Sequence, residues 1–215
     1  MIPPRILIPA AKRLPQRKKH EPKRGAPPHT KHSAEAGLIL YPGAKVDPHA
    51  YVPLAEKIAE RGYICVIAKM PFNLAFFGID AASGIINNYP QTDAWWIAGH
   101  SLGGDAAAQY AANHADALEG IALLASYPAS DLSETSLRAL SVYGSQDLVL
   151  NRESLAENAS KLPANAKTVV IEGGNHAGFG AYGPQKGDGE AAISADEQQE
   201  AFANAFDAAA SADRQ

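Results

Sequence analysis

Gly99-His100-Ser101-Leu102-Gly103-Gly104 follows the apolar run Ala94–Ala98 and precedes an alanine-rich stretch, residues 105–113, that reads as a helix. A serine with glycines two positions to either side, at a strand-to-helix corner, has the pattern of a nucleophile elbow. Such a turn forces Ser101 into a strained backbone conformation. A side chain at 99 or 103 would collide with the neighbouring helix or strand. The hydroxyl is then held above the carboxyl edge of a sheet, at the positive end of a helix dipole.

Outward from this corner, strands and helices alternate from Gly37 onward, which predicts an α/β fold with a mostly parallel central sheet and helices on both faces. Apolar strands are expected at 38–41, 64–68, 95–98, 121–125, 140–143 and 168–171. Asp47-Pro48 reads as an N-cap with proline opening the next helix, whose apolar face is Tyr51, Leu54, Ala55, Ile58 and Ala59, closed by Gly62. Further helices are expected at 78–88 and 151–161. Ser194 with Glu197 makes a capping box for a last one carrying Phe202, Ala205, Phe206 and Ala209.

Sites in open parallel sheets form at the carboxyl ends of strands. A serine hydroxyl needs a base to take its proton, and the base needs an orienting acid. In this architecture the chain order is serine, acid, histidine. Asp147 follows the 140–143 strand and His176 follows the 168–171 strand, so Asp147 is read as the acid and His176 as the base. Asp131 is a rival acid, and Asp105 is read as favouring the helix N-terminus. His100 is read as a packing choice, and His49 and His114 as surface groups.

An oxyanion needs donors. The backbone N–H of Leu102 is expected to be one, and that of Ala44 the other, with Lys45 the runner-up, in the loop Tyr41-Pro42-Gly43-Ala44-Lys45. Candidate pocket residues are Phe72, Asn73 and Leu74, then Tyr127, and Phe179 and Tyr182. For each of them core packing is an equal alternative.

At 215 residues the chain is expected to form one catalytic domain, residues 37–215, behind a leader, residues 1–36. The leader holds nine Lys/Arg against two Glu, a charge of +7, and seven of the fifteen prolines. The remaining 179 residues carry −11. Such a leader cannot bury enough apolar surface to order itself, although residues 5–9 could add an edge strand. A nucleic-acid arm is the minor reading, so no nucleic-acid partner is expected. No stretch is apolar enough to span a membrane. Ile6-Leu7-Ile8 is too short for a signal peptide, and Cys65 has no partner for a disulfide, so a cytoplasmic location is expected. Neither a metal-ligand pattern nor a dinucleotide fingerprint is present, and no cofactor or metal is expected.

The elbow, the acid and the base resemble those of the α/β-hydrolase superfamily, from Gly37 to about Ala210. The wording is similar to a compact bacterial branch near dienelactone hydrolases and carboxylesterases. It is carried by Tyr-Pro-Gly-Ala-Lys-Val-Asp-Pro at 41–48, Lys-Met-Pro-Phe-Asn-Leu-Ala at 69–75, Gly-Gly-Asn-His-Ala-Gly-Phe-Gly at 173–180 and Gly-Asp-Gly at 187–189. The resemblance implies an α/β-hydrolase fold and a serine hydrolase that cleaves small carboxylic esters through an acyl-enzyme. Dienelactone hydrolases have cysteine where this chain has Ser101, which favours ordinary esters over dienelactones. A lactone or dienelactone-type hydrolase is the alternative, and a ligand-binding protein on a hydrolase scaffold another. The short span from Ala125 to Leu140 leaves no room for a large lid. Superfamily members also carry strands ahead of the oxyanion-loop strand, where this chain offers only its leader.

Overall fold

A computed structural model describes residues 6–7 and 36–212. Seven strands form one sheet: β1 (Ile6–Leu7), β2 (Ala36–Tyr41), β3 (Ile64–Ala68), β4 (Ala94–His100), β5 (Gly120–Leu124), β6 (Arg138–Gly144) and β7 (Lys167–Ile171). Their spatial order is β1-β3-β2-β4-β5-β6-β7, all parallel from β3 to β7, with β1 antiparallel on the β3 edge. The edge strand expected within residues 5–9 is thus present as Ile6–Leu7. Apart from those two residues and Ala36, the leader and what was expected of it lie outside the described residues.

The five α-helices among the described residues are α1 (Val52–Glu60), α2 (Ala81–Asn88), α3 (Leu102–Asn113), α4 (Arg152–Glu157) and α5 (Ala195–Ala210). Side chains alternate across the sheet with the strand period of two. Leu38, Leu40, Trp96, Ala98, Leu140 and Val142 pack with Leu54 and Ile58 of α1 and Phe202 and Phe206 of α5. On the other face, Ile39, Tyr41, Trp95 and Ile97 pack with Ile85 of α2 and the alanines of α3. Ala106, Ala107, Ala108 and Ala111 are fully buried. Their small side chains let α3 approach the sheet closely and seat Ser101 hard against its edge.

Three helix expectations need correction. Asp47 caps a 3-10 turn, Pro48–Tyr51, and α1 starts only at Val52. The second proline, Pro53, lacks an N–H and cannot continue a helix begun at residue 48. Gly78 ends a 3-10 turn, Ala75–Phe77, by donating its N–H to the Ala75 carbonyl, so α2 begins at Ala81. The helix expected over 151–161 stops at Glu157 and resumes as a 3-10 turn, Ala159–Lys161. There the Asn158 side chain bonds the Ser154 carbonyl, and no residue of α4 is buried to hold the helix on the sheet. Between β5 and β6 the chain makes only turns and bends, and the carboxyl edge carries no lid helix there. No helix among the described residues is long and apolar enough to cross a membrane.

Candidate active site

Ser101 joins β4 to α3 with φ 52° and ψ −125°, a left-handed conformation costly for a side-chain-bearing residue. Its N–H donates to the Leu124 carbonyl at 2.9 Å, which ties the corner to β5. A Cβ on Gly99 would lie 2.2 Å from the Gly103 carbonyl oxygen, and one on Gly103 would lie 2.4 Å from the carbonyl oxygens of Tyr41 and Pro42. Backbone stands on both sides, so the turn closes only with glycine at each position.

Asp147 and His176 come from the loops after β6 and β7. His176 Nδ1 lies 2.9 Å from Asp147 Oδ2, and both side chains are buried. Asp147 Oδ1 accepts the N–H groups of Val149 and Leu150 at 2.9 and 2.8 Å. Burial pushes this carboxyl's pKa up, but the bonds from His176, Leu150 and Val149 outweigh it, and the net shift is downward. Because Nδ1 faces a carboxylate, Nδ1 carries the proton and Nε2 is left as an acceptor. That Nε2 is buried and without a hydrogen-bond partner among the described residues.

The two loops are stitched together by their backbones. Gln146 N–H donates to the Gly174 carbonyl at 2.8 Å, and Ser145 N–H to that of Ile171 at 2.9 Å. A Cβ on Gly144 would meet Gly174 backbone at 2.2 Å, which is why glycine ends β6. From α5, Gln198 accepts the Asn175 N–H and donates to the Asn175 carbonyl, at 3.0 and 2.7 Å. The Asp188 carboxylate accepts the N–H groups of His176 and Ala177 at 3.2 and 2.9 Å. Sequence reading assigned no role to Gln198 or Asp188. The Gly-Asp-Gly wording at 187–189 marked the position of Asp188 without its partners.

In the loop after β2, Lys45 N–H is spent on the Asn73 carbonyl at 2.8 Å, and Gly43 N–H on the Tyr51 hydroxyl at 2.9 Å. The N–H of Ala44, like that of Leu102, has no partner among the described residues. Lys45, Phe72 and Asn73 all have positive φ, so this loop and its neighbour are both strained.

The remaining candidates are scattered. Asp131 is exposed and accepts the Ser133 N–H, while Asp105 accepts the Ala129 N–H. His49 pairs with Asp47 at the surface, and His114 stacks on Tyr110. Cys65 is buried, and burial pushes its thiol up to about 12, so it is no nucleophile. Phe179 is fully buried in the core against His100 and Phe202, whereas Phe72 stands 83% exposed. A cleft of about 460 Å³ beside α4 is lined by Tyr127 with Ser126, Ser141, Tyr143, Arg152 and Leu155. Ser101, Asp147 and His176 do not line it. The described residues hold no group of three His, Cys, Asp or Glu side chains able to bind a metal.

Fold and family define the class of protein, a hydrolase. The chain belongs to the alpha/beta hydrolase family, whose model matches residues 37–200. Solved structures of the same fold include a predicted CIB-like hydrolase from Thermoplasma acidophilum, 18% identical with a TM-score of 0.59, covering 83% of this chain and 89% of that one. Est1E from Butyrivibrio proteoclasticus is 16% identical with a TM-score of 0.60, over 80% and 87% of the two chains. Thermogutta terrifontis esterase 2, seen phosphoramylated by tabun, is 15% identical with a TM-score of 0.56, over 80% and 82%. Among curated proteins no sequence matches the chain.

Proposed function

We propose that this protein hydrolyses small carboxylic esters through an acyl-enzyme on Ser101. The observation that carries the reading is the Asp147–His176 hydrogen bond, which leaves Nε2 as a buried acceptor without a partner on a loop packed against the residue before Ser101. Esterases among the structural neighbours are consistent with it. Ser101 Oγ attacks the ester carbonyl carbon while Nε2 takes its proton. The tetrahedral oxyanion accepts hydrogen bonds from Leu102 N–H and Ala44 N–H, neither of which has a partner among the described residues. Collapse breaks the bond to the leaving oxygen, which receives the proton from Nε2. Water then repeats the sequence and releases the acid. Asp147 holds the imidazole in the tautomer that keeps Nε2 free and stabilises the imidazolium. The absence of a lid helix between β5 and β6 suits small or chain-end esters.

Hydrolysis of nitrophenyl acetate, butyrate and octanoate tests this. The expected pattern is a short-chain preference, a loss of about 10⁶ in kcat for Ser101→Ala and of about 10⁴ for Asp147→Asn. A lactone panel run alongside separates ester from lactone preference. An inactive wild type that binds the same compounds tightly would make the protein a ligand binder on this scaffold.

A further inference from the structure

Behind the proposed reaction centre runs a chain of three buried hydrogen bonds. Gly43 N–H lies 2.9 Å from the Tyr51 hydroxyl, that hydroxyl lies 2.7 Å from His100 Nδ1, and His100 Nε2 lies 3.1 Å from the His176 carbonyl oxygen. Tyr51 and His100 are both buried.

The directions follow from the ends. A peptide N–H only donates and a carbonyl only accepts. Gly43 therefore occupies a lone pair of the Tyr51 oxygen, and His100 Nε2 must carry a proton to meet the carbonyl. With His100 neutral, Nδ1 has no proton, and the Tyr51 O–H points to it. One neutral tautomer satisfies every group. Neutrality is enforced by burial first and by the neighbouring His176 second, which together bring the His100 pKa down to about 3. The other titratable groups facing it are Tyr51, Tyr182 and, through charge, Asp147.

We propose that Tyr51 and His100 are positioning residues, a buried bridge that holds the loop bearing Ala44 and the loop bearing His176 in register with each other. The inference rests on the ester-hydrolase reading above. One end of the bridge grips the residue before the expected oxyanion donor, and the other grips the backbone of the expected base. Asp188 holds the His176 N–H, so the bridge completes the restraint of that residue's backbone. The His100 and His176 rings also pack with centroids 4.7 Å apart. Two apolar side chains of the same shape could fill this space, since replacing both partners of a buried hydrogen bond is often nearly neutral. They could not replace the bonds to Gly43 N–H and the His176 carbonyl, and would leave the two segments the bond from Ala181 N–H to the Ala50 carbonyl at 2.7 Å, which lies farther along each chain.

The bridge is tested with Tyr51→Phe, His100→Leu and His100→Gln, the last retaining an acceptor and a donor on one terminal amide. Nitrophenyl butyrate turnover is measured with the unfolding midpoint, and the imidazole nitrogens are followed by ¹⁵N NMR. Tyr51→Phe should unfold cooperatively, keep KM within about threefold and lose about 10- to 100-fold in kcat, the scale of a misplaced reacting group. His100→Gln should recover about tenfold over His100→Leu. In the wild type, His100 should stay the neutral Nε2–H tautomer between about pH 5 and pH 9. Unchanged kcat in Tyr51→Phe, a Gln variant no faster than the Leu variant, or a proton on Nδ1 of neutral His100 would each overturn the bridge. A wild type inactive on every ester would end the ester reading alone. The bridge would then stand if Tyr51→Phe shifts the His176 resonances and fall if it does not.

Discussion

His100 shows what one residue of the quoted six does once its surroundings are known. Its pKa is lowered from 6.5 to about 3 by burial and then by His176. Between those values the unfolded chain binds a proton that the folded chain refuses, so stability falls as pH drops through the window and is free of this penalty above it. The expected slope from this residue is up to about 1.4 kcal/mol per pH unit. Urea unfolding at a series of pH values should show that slope shrink in His100→Gln, and a slope equal to the wild type's would mean that His100 is not held neutral. Asp147 works in a lower window. Its lowered pKa contributes stability above the ordinary carboxylate range that is lost as pH falls through the folded value. The candidates Ser101, Asp147 and His176 stand out in the sequence because each follows a recognisable strand in a fixed order. The Tyr51–His100 pair could not, because its partners are 49 positions apart and a histidine before the serine looks like any packing residue.

Among the elements, strands were legible to within two residues at either end, and in β2 to β6 burial on both faces makes them largely apolar runs, whereas the edge strand β7 is mostly exposed. Helices were less so where a second competing signal sat inside the expected span: Pro53 in the first turn of α1, Gly78 ahead of α2 and Asn158 at the end of α4. The last helix was read correctly down to its cap. Ser194 accepts the Glu197 N–H, and Glu197 accepts the Ser194 N–H. Ser194→Ala should cost about 1 kcal/mol of stability, seen as a lower urea midpoint. Since α5 also supplies Gln198 to the His176 loop four residues beyond the cap, a large loss of kcat with no loss of stability would contradict a purely capping role.

For the whole molecule, the sheet divides the core into two layers, and β4 sends Trp95 to one and Trp96 to the other. At the carboxyl edge the ends of β2, β4, β6 and β7 lead into the loop bearing Ala44, Ser101, Asp147 and His176. The sheet edge was less legible than its centre. A two-residue strand from the basic leader pairs antiparallel with β3, and nothing in its composition specified that direction. In the reading proposed above, Ser101 is a nucleophile activated by His176. The most direct measurement is reaction with a fluorophosphonate followed by mass spectrometry of the intact and digested protein. One adduct per chain is expected, on Ser101, absent in Ser101→Ala and greatly slowed in His176→Ala. No adduct, an adduct on another residue, or labelling of His176→Ala at the wild-type rate would contradict it.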